Sequence, residues 1–109
     1  MVHFTCIVGN PAFSRSLAYA AKELEHRFKG EVSLVYFLYS RRLRLPEKEV
    51  KRLEDSIKRA DVIITSMVFE GQPLDLIRKF GSDKTVIVLA GTPQALALTR
   101  LGKFNFGIL

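Results

Sequence analysis

The side chains most often used for catalysis or metal binding are few in this sequence and far apart along it. The chain holds one cysteine, Cys6, and two histidines, His3 and His26. A zinc site needs several such ligands close together, and a nucleophile needs a base within hydrogen-bonding reach. Cys6 is predicted to be a buried, inert thiol, and each histidine is predicted to lie at the surface or at the core edge. The sequence therefore predicts no catalytic residue and no metal site.

Polar residues that could contact a ligand stand where three apolar runs end. Asn10 and Thr92 each follow such a run, and Ser66 lies near the carboxyl end of another. If the runs are parallel strands, these residues meet at the carboxyl edge of the sheet, where α/β proteins bind ligands. Thr92 precedes a proline, so it either receives an anion or serves as an ordinary helix N-cap. Residues 9–14 lack the glycine spacing of dinucleotide-binding and Walker loops.

The apolar runs alternate with stretches of helical periodicity. Four runs rich in Val, Ile, Phe and Tyr are predicted strands, at residues 3–8, 32–39, 62–68 and 85–90. Apolar residues spaced by three or four predict helices over residues 17–28, 46–60, 73–80 and 93–101. Gly30, Gly81 and Gly102 follow three of these stretches as helix terminators.

This alternation predicts the α/β class: a small, doubly wound, mainly parallel sheet of four strands with alternating helices, flavodoxin-like in outline. The third and fourth runs are apolar almost throughout, as expected for strands covered by helices on both faces. We expect one domain over residues 1–101. Residues 102–109 are apolar and punctuated by glycine, and we expect them to start a linker or the next element of a longer parent chain.

Size and charge limit the function classes. The 109 residues include one cysteine and carry a net charge of +6, so an internal disulfide is excluded. No apolar run approaches the roughly 20 residues that span a membrane, and a cytoplasmic protein is expected.

Residues 41–59 hold eight Lys or Arg and four Asp or Glu. A nucleic-acid interface or a docking face for an acidic partner has this pattern. Possible i,i+4 pairs, Glu47 with Lys51 and Glu54 with Lys58, favour a solvated helix face, and nucleic-acid binding is not expected.

Two stretches resemble a known family. Residues 60–70 read ADVIITSMVFE, and residues 98–104 read LTRLGKF. Together they resemble the N-terminal domain of the large, porphyrin-binding subunit of magnesium chelatase and of cobaltochelatase. In that domain an Ala-Asp pair, an apolar run containing Ser, and then Phe with an acid precede a closing Leu-Thr-Lys/Arg-Leu-Gly-x-Phe segment. The specific part of the resemblance covers about a third of the chain.

The resemblance implies an accessory domain of a tetrapyrrole metal chelatase. In that family the large subunit binds the tetrapyrrole, and AAA+ subunits hydrolyse ATP to insert Mg into protoporphyrin or Co into a corrin precursor. The N-terminal domain would aid substrate access or subunit assembly, and it carries no catalytic residue and no cofactor. Its partners would be the remaining domains of the large subunit and the AAA+ chelatase subunits. If the domain aids substrate access, the tetrapyrrole itself would be a further partner.

The resemblance also adds contact candidates. Phe69 and Glu70 could face a macrocycle or a neighbouring domain, or pack onto the third helix. Arg100 and Lys103 could meet porphyrin carboxylates, although cations are common near helix C-termini. The alternative is a free-standing, flavodoxin-like module that binds a nucleotide or a protein. That alternative predicts an occupied site at the carboxyl edge of the strands.

Overall fold

A computed structural model describes residues 2–39, 45–68, 71–89, 96–101 and 104–105. The strands are β1 (Val2–Val8), β2 (Val32–Leu38), β3 (Val62–Ser66), β4 (Thr85–Leu89), β5 (Arg100–Leu101) and β6 (Phe104–Asn105). The helices are α1 (Ser14–Phe28), α2 (Glu47–Arg59) and α3 (Gln72–Phe80), and a 3-10 helix (Pro11–Phe13) precedes α1.

The sheet has the order β2-β1-β3-β4-β5-β6, and its first four strands are parallel. The predicted four-stranded, doubly wound α/β sheet is therefore confirmed. The chain moves outward from β1 to β2 and then back across β1 to β3. Because such crossovers are right-handed, α1 lies on one face of the sheet and α2 and α3 lie on the other.

The expected fourth helix does not extend to Leu101. Arg100 and Leu101 form β5, which pairs antiparallel with β4 and places Arg100 opposite Val86. Here Thr99 Oγ1 accepts a hydrogen bond of 3.3 Å from the Val88 N–H. Pairing with the exposed edge of β4 thus outweighs a weak local helical pattern. Thr92, at the predicted start of this helix, lies outside the described residues.

The hydrophobic core is concentrated on the α2 and α3 face. Its members come from the four parallel strands, from both helices and from the segments next to them: Ile7, Phe37, Leu53, Ile57, Ala60, Ile63, Val68, Leu74, Ile77, Val86 and Val88. By contrast, α1 contributes no fully buried residue, and Phe28 in its predicted apolar stripe is 46% exposed. Most of the stabilisation from apolar burial is therefore on one side of the sheet.

The charges of α2 are largely paired within the helix. The predicted pair Glu54 and Lys58 is present at 3.7 Å. Lys51 contacts Glu54 and Asp55, each at 3.3 Å, rather than Glu47. Such exposed pairs contribute little to stability. None of the helices in the described ranges is long and apolar enough to cross a bilayer.

Candidate functional site

The carboxyl edge of the sheet is held together by main-chain hydrogen bonds between the segments that follow the strands. The Gly9 N–H donates to the Ser66 carbonyl at 2.9 Å, and the Tyr39 N–H donates to the Val8 carbonyl at 3.0 Å. On the far side the Met67 N–H donates to the Leu89 carbonyl at 3.3 Å. The ends of all four parallel strands therefore form one continuous edge.

Gly9 and Met67 approach each other closely at this edge. A Cβ built on Gly9 would collide with the Met67 carbonyl oxygen and would lie 2.9 Å from its carbonyl carbon. Met67 has a φ of 61°, a left-handed backbone conformation that residues other than glycine rarely adopt. Only glycine at position 9 lets the two backbones pack in this way.

Asn10 and Ser66 are neighbours at this edge. The Asn10 Oδ1 atom accepts the Ala12 N–H at 2.9 Å, and the Asn10 carbonyl accepts the Phe13 N–H at 3.3 Å. These bonds form a local turn that leads into α1. Ser66 is half-buried, and its carbonyl bonds to Gly9. The structure therefore brings these two candidates together and gives the Asn10 side-chain oxygen a structural role.

Arg100 lies elsewhere. It stands opposite Val86, near the amino end of β4, which is about 10 Å along the strand from the carboxyl edge at 3.3 Å per residue. The sequence placed it at a helix terminus, whereas the structure places its backbone in β5, between β4 and β6. The other four candidates, Phe69, Glu70, Thr92 and Lys103, lie outside the described residues.

Two buried hydroxyl groups lie near the carboxyl edge, and that of Tyr39 was not singled out from the sequence. Thr65 is 0% exposed, and its Oγ1 atom has no hydrogen-bond partner within the described structure. The same holds for the hydroxyl of Tyr39, whose ring stacks on Phe37 with centroids 6.3 Å apart. Burial raises the pKa of Tyr39, and the negative charge of Glu49 raises it further. The phenol therefore stays protonated and able to donate a hydrogen bond.

Thr65 and Thr5 lie on the same face of the sheet and differ in hydrogen bonding, which permits a matched test. Thr5 Oγ1 lies 2.7 Å from Ser56 Oγ on α2. We expect Thr5→Val to lower the free energy of unfolding by about 2 kcal/mol, because it leaves the Ser56 hydroxyl without that partner. Thr65→Val should raise it by about 1 kcal/mol, because it removes an unpaired buried hydroxyl. Urea titrations followed by circular dichroism measure both, and an equal loss in the two variants would contradict the assignment.

A groove between α2 and the strands β1 and β2 is the second site feature. It has a volume of about 680 Å³, and its lining includes His3, Ser33, Val35, Arg52 and Arg59. His3 Nδ1 lies 2.8 Å from Ser33 Oγ, and the Arg52 guanidinium lies 4.7 Å from the centre of the Phe37 ring. The groove depends on β2 being an edge strand, which the sequence does not reveal.

The potentially reactive side chains do not form a cluster. Cys6 is buried, as predicted, and burial raises the pKa of its thiol. It alternates with His3 along β1, so the two side chains leave opposite faces of the sheet. Across the ranges that the structure describes, no three His, Cys, Asp or Glu side chains lie close enough to hold a metal ion. The side chains at the carboxyl edge and in the groove can therefore offer a ligand hydrogen bonds and charge.

Comparison with known proteins identifies the family. No curated protein matches this chain. The family described as "Domain of unknown function (DUF3479)" matches residues 3–107. The match takes in β1 to β6, the carboxyl edge with Asn10 and Ser66, and both stretches 60–70 and 98–104. Because it extends over nearly the whole sequence, the chain belongs to the DUF3479 family of domains of unknown function.

Proposed function

We propose that this chain is the N-terminal accessory domain of the large subunit of a tetrapyrrole metal chelatase. The observation that carries the proposal is the joint occurrence of the stretches 60–70 and 98–104, in the order and at the spacing of that domain. Either stretch alone is short, and an Ala-Asp pair before an apolar strand is common in α/β proteins. Their combination within one small chain is far more specific.

The fold supports treating the two stretches as one unit. Residues 62–66 form β3, which pairs with one side of β4, and residues 100–101 form β5, which pairs with the other side. Val88 in β4 connects them: it is in register with Thr65 and donates its N–H to Thr99 Oγ1. Thr65 and Thr99, which lie 34 positions apart in the sequence, therefore contact the same residue of β4.

The role that we propose is substrate access or subunit assembly. The described residues offer polar contacts at the carboxyl edge and a charged groove. In this proposal the tetrapyrrole, the Mg or Co that is inserted and the ATP-hydrolysing AAA+ subunits are handled by the rest of the complex. The remaining domains of the large subunit are the first partners, and the setting is cytoplasmic.

The test uses the reading frame that encodes this chain and the complete protein that it specifies. We expect the frame to continue beyond Leu109 into a long chelatase-type subunit. Removing residues 1–101 from that subunit should lower the rate of metal insertion several-fold, through a higher KM for the tetrapyrrole or through weaker association with the AAA+ subunits. An unchanged melting temperature of the remainder is the control. A frame that stops at Leu109 or continues into unrelated sequence would overturn the proposal.

A second candidate is a free-standing module that binds a nucleotide or a protein at the carboxyl edge. The unpaired hydroxyls of Thr65 and Tyr39 near that edge favour it, since buried polar groups without partners are costly. Isothermal titration calorimetry of the chain with FMN and with ATP provides the test. Heat of binding that disappears in Thr65→Val would support this candidate. If neither FMN nor ATP gave heat, nucleotide binding would be contradicted.

A further inference from the structure

One side of β2 has no partner strand within the described structure. In the sheet order β2 is outermost, and it pairs only with β1. The Val2 N–H donates to the Glu31 carbonyl at 2.8 Å, and the Tyr39 N–H donates to the Val8 carbonyl at 3.0 Å. In a parallel ladder these bonds assign the odd-numbered residues of this strand to β1. The main-chain groups of the even-numbered residues, Val32, Leu34, Tyr36 and Leu38, therefore point away from the sheet.

Among the residues that the structure describes, this edge lacks the features that usually prevent pairing with another chain. Natural edge strands are short, or carry a lysine, a proline or a bulge. In contrast, β2 is seven residues long, has the sequence VSLVYFL and pairs with β1 in an unbroken register. Its Val35 side chain is 44% exposed. A long, apolar and regular edge is a template for an added strand.

The groove beside this edge has an apolar floor and a basic wall. Val35 and Phe37 contribute to the floor, and Arg52 and Arg59 of α2 contribute to the wall. The acid in the lining, Asp55, lies 3.3 Å from Lys51.

The two arginines keep much of their charge available. Arg52 is 3.8 Å from Glu49, a distance close to the outer limit of an ion pair. Arg59 makes no salt bridge within the described ranges. The charge presented to an occupant of the groove is therefore positive, and it selects acidic side chains.

We propose that the outer edge of β2 binds an extended, acidic segment of a partner protein, which adds to the sheet as a further strand. Main-chain bonds to Leu34 and Tyr36 supply affinity, and acidic side chains at alternate positions reach Arg52 and Arg59. A second copy of this chain suits the edge less well, because each copy carries a net charge of +6 and its own arginine wall. The proposal depends on the geometry of the sheet and is independent of the chelatase assignment.

The experiment uses the full chain and a synthetic peptide of about seven residues, the length of β2, that alternates valine with glutamate. Amide hydrogen exchange is followed by NMR with and without peptide. We expect the Leu34 and Tyr36 amides to exchange at least about tenfold more slowly when peptide is bound. The Val35 amide, which already bonds to β1, should not change. A peptide that alternates valine with lysine is the charge control and should bind at least about tenfold more weakly.

A pair of variants separates strand addition from other modes of binding. Tyr36→Pro removes an outward N–H and leaves the donors to β1 intact, whereas Tyr36→Ala retains that N–H. We expect the proline variant to weaken peptide binding at least about tenfold and the alanine variant to retain most of it.

The proposal would be overturned if the lysine peptide bound as tightly as the glutamate peptide. It would also be overturned if Tyr36→Pro bound the glutamate peptide as tightly as the unsubstituted chain while its circular dichroism spectrum stayed native. A third contrary result would be a glutamate peptide that binds without slowing exchange of the Leu34 and Tyr36 amides. Concentration-dependent protection of these amides without peptide would overturn it too, by assigning the edge to a second copy.

Discussion

Leu53→Ala is expected to lower the free energy of unfolding by about 3 kcal/mol. Leu53 is 0% exposed, and it lies in the core cluster between α2 and the sheet, together with Ile57 and Phe37. The substitution removes buried apolar atoms and leaves a cavity that its neighbours can only partly fill. Urea denaturation followed by circular dichroism gives the change directly.

Leu89→Ala is the matched control for Leu53→Ala. It deletes the same atoms from a side chain that is 53% exposed at the end of β4. We expect a loss below about 1 kcal/mol, because little apolar surface is buried there. Similar losses in the two variants would contradict a core concentrated between α2, α3 and the sheet. A changed denaturant slope in either variant would instead report a change in the surface exposed on unfolding.

The parts of the fold that follow local rules could be predicted. The apolar stripe of α2 places Leu53 and Ile57 on one face, and both are buried. Gly81 follows the last residue of α3, as expected for a terminator. The four parallel strands begin within one residue of their predicted starts, because a short apolar run between polar segments is a local feature.

Features that depend on a distant partner could not be predicted. Residues 100–101 carry a helical pattern, yet they form β5 because β4 offers them an open edge. The strand β2 reads as an ordinary apolar run, and nothing local shows that it lies at the end of the sheet. The same reasoning applies to Thr65, whose hydroxyl is unusual only because its surroundings provide no partner.

The candidate site was partly predictable for a related reason. Asn10 and Ser66 lie at the same edge because parallel strands end there together, a rule that needs only the fold class. Arg100 was assigned through a helix that ends earlier than its pattern suggested, and its position changed with that helix. The proposed function and the proposed docking surface thus involve different parts of the sheet: β3, β4 and β5 carry the family resemblance, whereas β2 carries the open edge.

Gly9→Ala is expected to lower the free energy of unfolding by about 3 kcal/mol. The added methyl group would collide with the main-chain carbonyl of Met67, and main chain cannot turn aside as a flexible side chain can. Relief would require moving Gly9 away from the Ser66 carbonyl, which it contacts at 2.9 Å, or moving Met67 out of its left-handed conformation. Either movement disrupts the edge where β1 and β3 meet. Thermal and urea denaturation both measure the change.

Gly30→Ala separates this collision from the general cost of replacing a glycine. Gly30 also has a left-handed φ of 81°, but a Cβ there would meet no atom within 4 Å. Its replacement should cost about 1 kcal/mol, through backbone conformation alone. Gly9→Ala should therefore be clearly the more damaging of the two, and amide exchange should quicken first at Gly9 and Met67 as their edge loosens. Equal losses would mean that Met67 does not approach Gly9 closely, and the carboxyl edge would then be more open than the main-chain bonds between β1 and β3 require.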